Sequence, residues 1–230
     1  SANKIPKIAD RALAQIPSRI AINTELAAYG KNSQVLKPTM WDNRINRESD
    51  NPQEHIFEKM VADKYLGEIV RNLVTDFMDA QILFPKNADV STFSEPFSFF
   101  TSYMTIMEDT SESLDEVGTL LSASFNVQAS KVDRCIVSAL CSIVSRRAAR
   151  LMGAATAALV KRATEAMDEI YPAVVSVSGQ LTEMNQPYVQ TMIDTATSLV
   201  DKMGLQKPTF NVLGEDGYTV GAAIAAMGEE

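Results

Sequence analysis

Cysteine, histidine and basic residues are scarce in this sequence of 230 residues, and each scarcity excludes a class of protein. Two cysteines cannot build the disulfide framework of a small secreted domain, and a single histidine, His55, does not indicate a metal site. The chain has 21 basic against 29 acidic residues, a net charge of −8. Nucleic-acid backbones and anionic membranes attract clustered basic residues, so we expect neither as a partner. No run of about 20 apolar residues occurs, so we expect no membrane insertion.

The remaining composition is typical of a folded globular protein, with 46% hydrophobic and 22% charged residues. The length suits one large domain, and we treat residues 1–230 as a single domain. Cys135 and Cys141 lie six positions apart in a predicted helix and should point in different directions, so we predict that they do not pair. Unpaired thiols indicate an intracellular location, either cytoplasmic or mitochondrial.

Apolar spacing predicts two long helices. The first covers residues 56–83, with Pro85 as its stop. The second covers residues 131–167 and presents an apolar stripe formed by Val132, Ile136, Ala139, Leu140, Ile143, Val144, Leu151, Ala155, Ala158 and Leu159.

The segment between these helices, residues 87–113, is aromatic-rich and is predicted to be irregular. We expect four phenylalanines to clamp it onto the core: Phe93, Phe97, Phe99 and Phe100. An acidic cluster follows and is interpreted as a solvated helix start; it consists of Glu108, Asp109, Glu112, Asp115 and Glu116.

The two ends of the chain carry the strand predictions. Residues 19–25 are predicted as a short strand and residues 27–55 as surface loop. Residues 173–178 and 209–213 are predicted as strands that flank a helix over 187–203, and a final helix is predicted over 219–227. This alternation predicts an α/β layer with a parallel pair of strands.

Four blocks of the sequence resemble segments of eukaryotic hexokinases. Ile22-Asn-Thr-Glu25 resembles the family's Asn-X-Glu-Trp-Gly segment, and Phe57-Glu-Lys-Met60 followed by Tyr65-Leu-Gly-Glu68 resembles its Phe-Glu-Lys-Met…Tyr-Leu-Gly-Glu run. Residues 144–151 resemble the helix that precedes the nucleotide site. The terminal Glu-Asp-Gly-Ser-Gly-X-Gly-Ala-Ala segment corresponds to residues 214–223. The blocks occur in the family's order and together span nearly the whole chain.

This resemblance implies an α/β fold class: part of the large lobe of an actin-like, ribonuclease-H-like ATPase, rich in helix, with a C-terminal strand–helix–strand–helix unit. It covers the C-terminal half of a hexokinase unit. The half that carries the first phosphate loop and the aspartate general base has no counterpart in these residues. We therefore expect an exposed strand edge and apolar surface, and other protein subunits as partners.

The resemblance also assigns candidate sugar-binding residues. Glu25 and Glu58 match the family's two sugar-binding glutamates, and His55 stands where the family has a sugar-contacting glutamine. The ligand implied is glucose or another hexose. Without the resemblance, Glu25 is a carboxylate at a strand end, and Glu58 is a first-turn carboxylate favoured by the helix dipole.

Several other ligand-contacting positions of the family are altered. Leu26-Ala27 replaces Trp-Gly after the first glutamate, and Ala62-Asp63 replaces Ser-Gly in the following helix. Ser178-Gly179-Gln180 replaces the family's Asp-Gly-Ser turn, and Gly217-Tyr218-Thr219 replaces its final Gly-Ser-Gly. Tyr218 and Thr219 would place large side chains where the family's backbone approaches the nucleotide. We interpret these residues as an eroded nucleotide site and expect no cofactor; ATP with Mg²⁺ is implied only for a working kinase site.

Three functions follow from these expectations. The first is a non-catalytic, hexokinase-like protein that serves as a structural or regulatory subunit of a larger assembly. The second is one half of a split or processed ATP-dependent hexokinase that phosphorylates glucose with a partner chain. The third is a sugar-binding sensor without chemistry.

Overall fold

Helices dominate the computed structural model, which describes residues 22–31, 35–84, 91–108, 113–166, 173–214 and 219. Short 3₁₀ turns form at Leu26–Ala28 and Ser91–Ser94. The remaining described elements, in chain order, are α1 (Met40–Glu48), α2 (Ile56–Val61), α3 (Asp63–Asp79), α4 (Thr101–Met107), α5 (Asp115–Phe125), α6 (Lys131–Ala166), β1 (Val174–Val177), α7 (Gln180–Met184), α8 (Gln186–Lys202) and β2 (Thr209–Val212). No helix in these ranges is long and apolar enough to span a bilayer.

The C-terminal unit has the predicted α/β arrangement. Strands β1 and β2 pair in parallel, with Val174 opposite Thr209 and Val177 opposite Val212. Helix α8 connects them and ends before Gly204, whose φ of 69° is the left-handed conformation typical of a glycine after a helix. The predicted helix over 219–227 lies outside the described residues apart from Thr219.

Helix α1 corrects the prediction that residues 27–55 are loop throughout. Its first turn is fixed by a reciprocal capping box, in which the Asp42 amide donates to the Thr39 hydroxyl and the Asp42 carboxylate accepts from the Thr39 amide at 2.7 Å. The same buried carboxylate accepts two hydrogen bonds from Arg147 on α6, at 2.9 and 2.6 Å. Helix α1 is thus held by polar contacts, which apolar periodicity does not register.

The predicted strand over 19–25 is also wrong where the structure describes it. Residues 22–25 form no strand, and residues 19–21 lie outside the described ranges. The Asn23 side chain bonds both the amide and the carboxylate of Glu25, whose φ is 49°. An asparagine that closes such a local turn competes with strand formation.

The predicted helix over 56–83 is two helices. Ala62 adopts extended backbone angles (φ −78°, ψ 144°) between α2 and α3, and α3 ends at Asp79, ahead of Leu83. Pro85 lies outside the described residues. Within α3, Gly67 packs directly against the backbone of the 99–101 segment, so close that an added Cβ would lie 2.1 Å from the Phe99 carbonyl oxygen.

Helix α6 is continuous, but the predicted stripe identifies only part of its buried face. Leu140 and Val144 are buried, whereas Val132 and Ile143 are 67% and 57% exposed. The buried face is completed by Val137, Cys141, Ala148, Ala149, Gly153, Ala157 and Val160. Because small residues occur on several sides of this helix, its buried face does not appear as a clear 3.6-residue repeat of large apolar residues in the sequence. Cys135 is exposed, Cys141 is buried and both are free thiols, which confirms the prediction that they do not pair.

The aromatic segment contains α4, which was not predicted, and only two of its four phenylalanines act as the expected clamp. Phe93 and Phe99 are each 1% exposed and stack on Phe125, with ring centroids 4.3 and 5.5 Å away. Phe97 and Phe100 remain 41% and 57% exposed. The aromatic core therefore forms beneath this segment while two rings stay at the surface.

A buried ion pair in α3 holds the same segment in place. Glu68 and Arg71 are joined by two hydrogen bonds, at 2.8 and 2.6 Å. Glu68 also accepts from the Phe97 amide at 2.7 Å, and Arg71 donates to the Phe93 carbonyl at 2.5 Å. Each charge is thereby given several partners, which a buried pair requires.

Glu108 corrects the interpretation of the acidic cluster as a solvated helix start. It lies just after α4 and is half-buried, and its carboxylate accepts from the Asn185 side chain at 3.1 Å. Burial raises its pKa, against the lowering effects of Asn185, Ser145 and Arg146. Asp115 and Glu116 do form an exposed first turn, that of α5, whereas Asp109 and Glu112 lie outside the described residues.

We predict that Gly67→Ala lowers the free energy of unfolding by about 2 kcal/mol, because the new methyl meets fixed backbone and overpacking exceeds the gain in helix propensity. Gly118→Ala is the matched control. It is also a buried helical glycine, but its Cβ would meet only the movable guanidinium of Arg134. We expect that variant to unfold within about 1 kcal/mol of the parent in urea. Equal losses for both variants would contradict this account of Gly67.

We predict that Glu108→Gln raises the free energy of unfolding at pH 7. The pKa of Glu108 is higher in the folded state than its ordinary value of 4.5. As the pH rises above 4.5, ionisation of this carboxyl therefore favours the unfolded state and lowers the free energy of unfolding. The amide removes that dependence and still accepts from Asn185. The advantage over the parent should therefore shrink as the pH falls towards 4.5, as measured by urea unfolding across pH, with Glu48→Gln as an exposed control. An advantage that does not vary with pH would contradict the role of burial.

Candidate functional site

The structure brings the segments that carry Glu25 and Glu58 side by side. The Phe57 amide donates to the Tyr29 carbonyl at 3.0 Å, and the two rings meet edge to face with centroids 6.3 Å apart. The 3₁₀ turn that follows Glu25 thereby packs against α2, whose first turn contains Glu58. Two carboxylates separated by 33 positions in sequence are thus carried by adjoining segments.

Glu58 is partly engaged by its own neighbour. His55 precedes α2 with a left-handed backbone (φ 51°), and its Nδ1 lies 3.0 Å from Glu58 Oε2. Both side chains are partly exposed, at 36% and 39%. The pair can accept from and donate to a polar ligand such as a hydroxyl, and a protonated imidazole adds an ionic attraction. The imidazole and the carboxylate are thus close neighbours, although His55 Nδ1 makes no hydrogen bond with the described residues.

Lys59 anchors the loop that leads to this pair, a role that sequence reasoning missed. Its side chain is 1% exposed, and Nζ donates to Asn46 Oδ1 and to the carbonyls of Asn51 and Glu54 at 3.1, 2.8 and 2.9 Å. Desolvation lowers its pKa. A lysine in a short helix usually lies at the surface. The one feature of the sequence that indicated burial of Lys59 was its position among the apolar residues of α2.

A cavity of about 200 Å³ opens beside Lys59. Its walls come from α1, α2 and the loops before them and include Gly30, Asp42, Asn46, Gln53 and Met60. The buried polar side chains here, Asp42, Asn46 and Lys59, all have hydrogen-bond partners within the protein. This arrangement stiffens the support under His55 and Glu58.

Two of the altered positions, Asp63 and Gln180, lie on a second cavity, of about 390 Å³. Gly179 (φ 138°) leads from β1 into α7, so that Gln180 begins α7, while Asp63 begins α3. Both line this cavity, together with Lys64, Phe97, Phe99, Phe100, Thr101 and Ser102. Ser178 precedes the turn and is partly buried, Thr219 is exposed, and Gly217 and Tyr218 lie outside the described residues.

The charge in this second cavity comes from Asp63 and Lys64. The Asp63 carboxylate has no hydrogen bond or ion pair with the described residues, and desolvation raises its pKa. Lys64 Nζ lies 5.3 Å from the centre of the Tyr65 ring. The Thr101 hydroxyl is occupied within the fold, since it donates to the Asp63 carbonyl and accepts from the Gly67 amide. The cavity thus offers a ligand an unpaired carboxylate beside exposed rings.

Sequence reasoning identified Asp63 as a departure but did not place it with the aromatic residues. Phe97 and Phe100 were expected to be buried, and nothing in their spacing distinguishes them from Phe93 and Phe99. Among the side chains that the structure describes, no three histidine, cysteine, aspartate or glutamate residues group as a metal site requires.

Comparison with known proteins identifies the relatives of this chain. It is 33% identical to the hexokinase of Kluyveromyces lactis over 210 residues, which is 91% of this chain and 43% of that protein. It is 33% identical to the hexokinase-like 1 protein of Arabidopsis thaliana over 183 residues, 78% of this chain and 36% of that one. The chain spans less than half the length of these relatives.

The fold agrees with this similarity. A solved structure of Schistosoma mansoni hexokinase in complex with glucose superposes with a TM-score of 0.72 at 29% identity, covering 89% of this chain and 45% of that one. The predicted fold class, part of the large lobe of an actin-like ATPase, is confirmed. The family model described as hexokinase matches residues 1–228, and the chain belongs to the hexokinase family.

Proposed function

We propose that this chain is a non-catalytic hexokinase-family protein that acts as a structural or regulatory subunit of a larger assembly. The observation that carries the proposal is the unpaired carboxylate of Asp63, in a cavity that it shares with Gln180 of the altered turn after β1. Asp63 stands where the family has a glycine. A glycine admits phosphate to the backbone amides at the start of a helix, whereas a carboxylate there repels it.

The residues present fit ATP with Mg²⁺ poorly. The turn after β1 presents Gln180 where the family has a serine hydroxyl, and the Thr101 hydroxyl is already hydrogen-bonded inside the fold. Lys64 is the cation nearest in sequence to Asp63, and its ammonium lies against the Tyr65 ring.

The role as a subunit is supported by the small sheet. Parallel sheets normally have both faces covered and contain more than two strands. Here the described residues supply only β1 and β2, with Val174 63% and Val212 45% exposed. A partner that supplies a further strand or a covering surface would bury these valines and pair the open edge.

A second candidate is one half of a split hexokinase that phosphorylates glucose. It is favoured by the packing of the two segments that carry Glu25 and Glu58. In that case a partner chain would supply the general base and the first phosphate loop, and Glu25→Gln would weaken hexose binding by the complex. A sugar sensor would need the same two carboxylates without the nucleotide segment.

We predict that the chain does not phosphorylate glucose with ATP and Mg²⁺ and binds the nucleotide only weakly. Asp63→Asn should tighten ATP binding about fivefold at low salt, because one repulsive charge is removed. Asp79→Asn, at the exposed far end of the same helix, is the charge-matched control and should have no effect. Calorimetric titration and a coupled assay measure both properties. Turnover by the unmodified chain would refute the proposal, and equal effects of the two variants would remove Asp63 as its basis.

We also predict that in a gentle extract this chain is found in a particle well above its own 25.2 kDa. Native mass with mass-spectrometric identification of the partners is the measurement. Partners without a kinase phosphate loop are expected for a structural or regulatory subunit. A partner that carries this loop and the base would instead establish the split enzyme, and a free monomer would contradict both assignments.

A further inference from the structure

The cavity at the start of α3 exposes aromatic surface that a monomeric domain usually buries. Phe100 and Phe97 are 57% and 41% exposed, while Phe99 between them is buried and closes the cavity from below. The Phe100 ring is supported edge to face by Tyr103 at 5.3 Å, and Phe97 meets Tyr65 at 6.3 Å. Exposed rings that are held by other rings present a fixed, flat surface to a ligand.

The position of Phe97 is maintained against backbone strain. Its φ of 59° is uncommon for a bulky residue, and its amide donates to Glu68 at 2.7 Å. Glu68 is itself fixed by the buried pair with Arg71. Strained residues that the surrounding structure over-determines are concentrated at binding sites.

The polar side of the cavity is suited to a cation. Asp63 is an exposed residue whose carboxylate has no partner among the described side chains, and partial desolvation raises its pKa. Lys64, the other charged lining residue, has its ammonium 5.3 Å from the Tyr65 ring centre. Gln180 adds an amide group. An incoming cation would pair with the Asp63 carboxylate, whereas that carboxylate would repel a phosphate.

We propose that this cavity binds the guanidinium group of an arginine from a partner protein. A guanidinium forms paired hydrogen bonds with a carboxylate, stacks on aromatic faces and is more weakly hydrated than an ammonium. Asp63 supplies the carboxylate, Phe97 and Phe100 supply the rings, and Gln180 supplies an amide oxygen that accepts. The chain's net charge of −8 favours a partner with a basic contact region. The inference rests on the proposed loss of nucleotide binding, because a working kinase would need the cavity for phosphate.

The first test titrates the full chain with N-acetyl-arginine amide and with its uncharged isostere N-acetyl-citrulline amide, followed by amide NMR shifts. We expect saturable shifts at Asp63, Lys64, Gln180 and residues 97–102, with the arginine compound bound about tenfold more tightly. Asp63→Asn should remove this preference, and Asp79→Asn should preserve it. Equal binding of the two compounds, or no shifts in the cavity, would overturn the proposal.

The same variant separates a charge effect from a loss of structure. Asp63→Asn should weaken arginine binding while it tightens ATP binding, whereas local unfolding would weaken both. The outcomes also separate the two proposals: glucose phosphorylation refutes the proposed function, while a chain that is inactive but does not distinguish arginine from citrulline refutes only this inference.

The source of the arginine is tested by placing the photo-reactive residue benzoylphenylalanine at position 100 in the native assembly. We expect an adduct with a partner peptide in which an arginine lies within a few residues of the linked position. An adduct with a peptide that lacks arginine, or no adduct in the intact assembly, would contradict a partner protein as the source.

Discussion

The buried pair of Glu68 and Arg71 is the interaction on which the aromatic half of the fold depends. Two opposite charges removed from water are tolerated only when each has several partners, and here those partners are the backbone groups of Phe97 and Phe93. The pair therefore fixes the path of the loop that places Phe93 on Phe125 and holds Phe97 at the surface. The same ion pair therefore stabilises both the aromatic core around Phe125 and the cavity lined by Phe97.

The sequence predicts those parts of the fold in which apolar spacing and glycine act together. Strands β1 and β2 and helix α8 were predicted almost to the residue, because β-branched runs, an amphipathic repeat and Gly204 all indicate the same structure. Helix α1 was missed because the capping box at Thr39 and the contact between Asp42 and Arg147 hold it, and that contact spans 105 positions. The break between α2 and α3 at Ala62 could not be predicted, because no proline or glycine occurs there to indicate the end of a helix.

The candidate site shows the same division. The resemblance pointed to Glu25, His55 and Glu58, but the contacts that bring their segments together, such as the hydrogen bond and the ring contact between Phe57 and Tyr29, appear only in the structure. Buried Lys59 and the surface rings of Phe97 and Phe100 could not be predicted, since their burial is set by partners distant in sequence. Asp63 was noticed as a substitution, and its meaning depends on the cavity that it shares with Gln180.

Helix α6 contributes to two hydrophobic clusters of very different size. At a rise of 1.5 Å per residue its 36 residues extend about 54 Å. The first two-thirds pack into the main core, whereas Ala157 and Val160, near its far end, share a small cluster with Val200 that supports the sheet. The strand end can therefore open locally, with exchange of its amide hydrogens, while the main core stays closed. A subunit bound at the strands would suppress that opening from outside, so the stability of this end would be set by assembly more than by the chain itself.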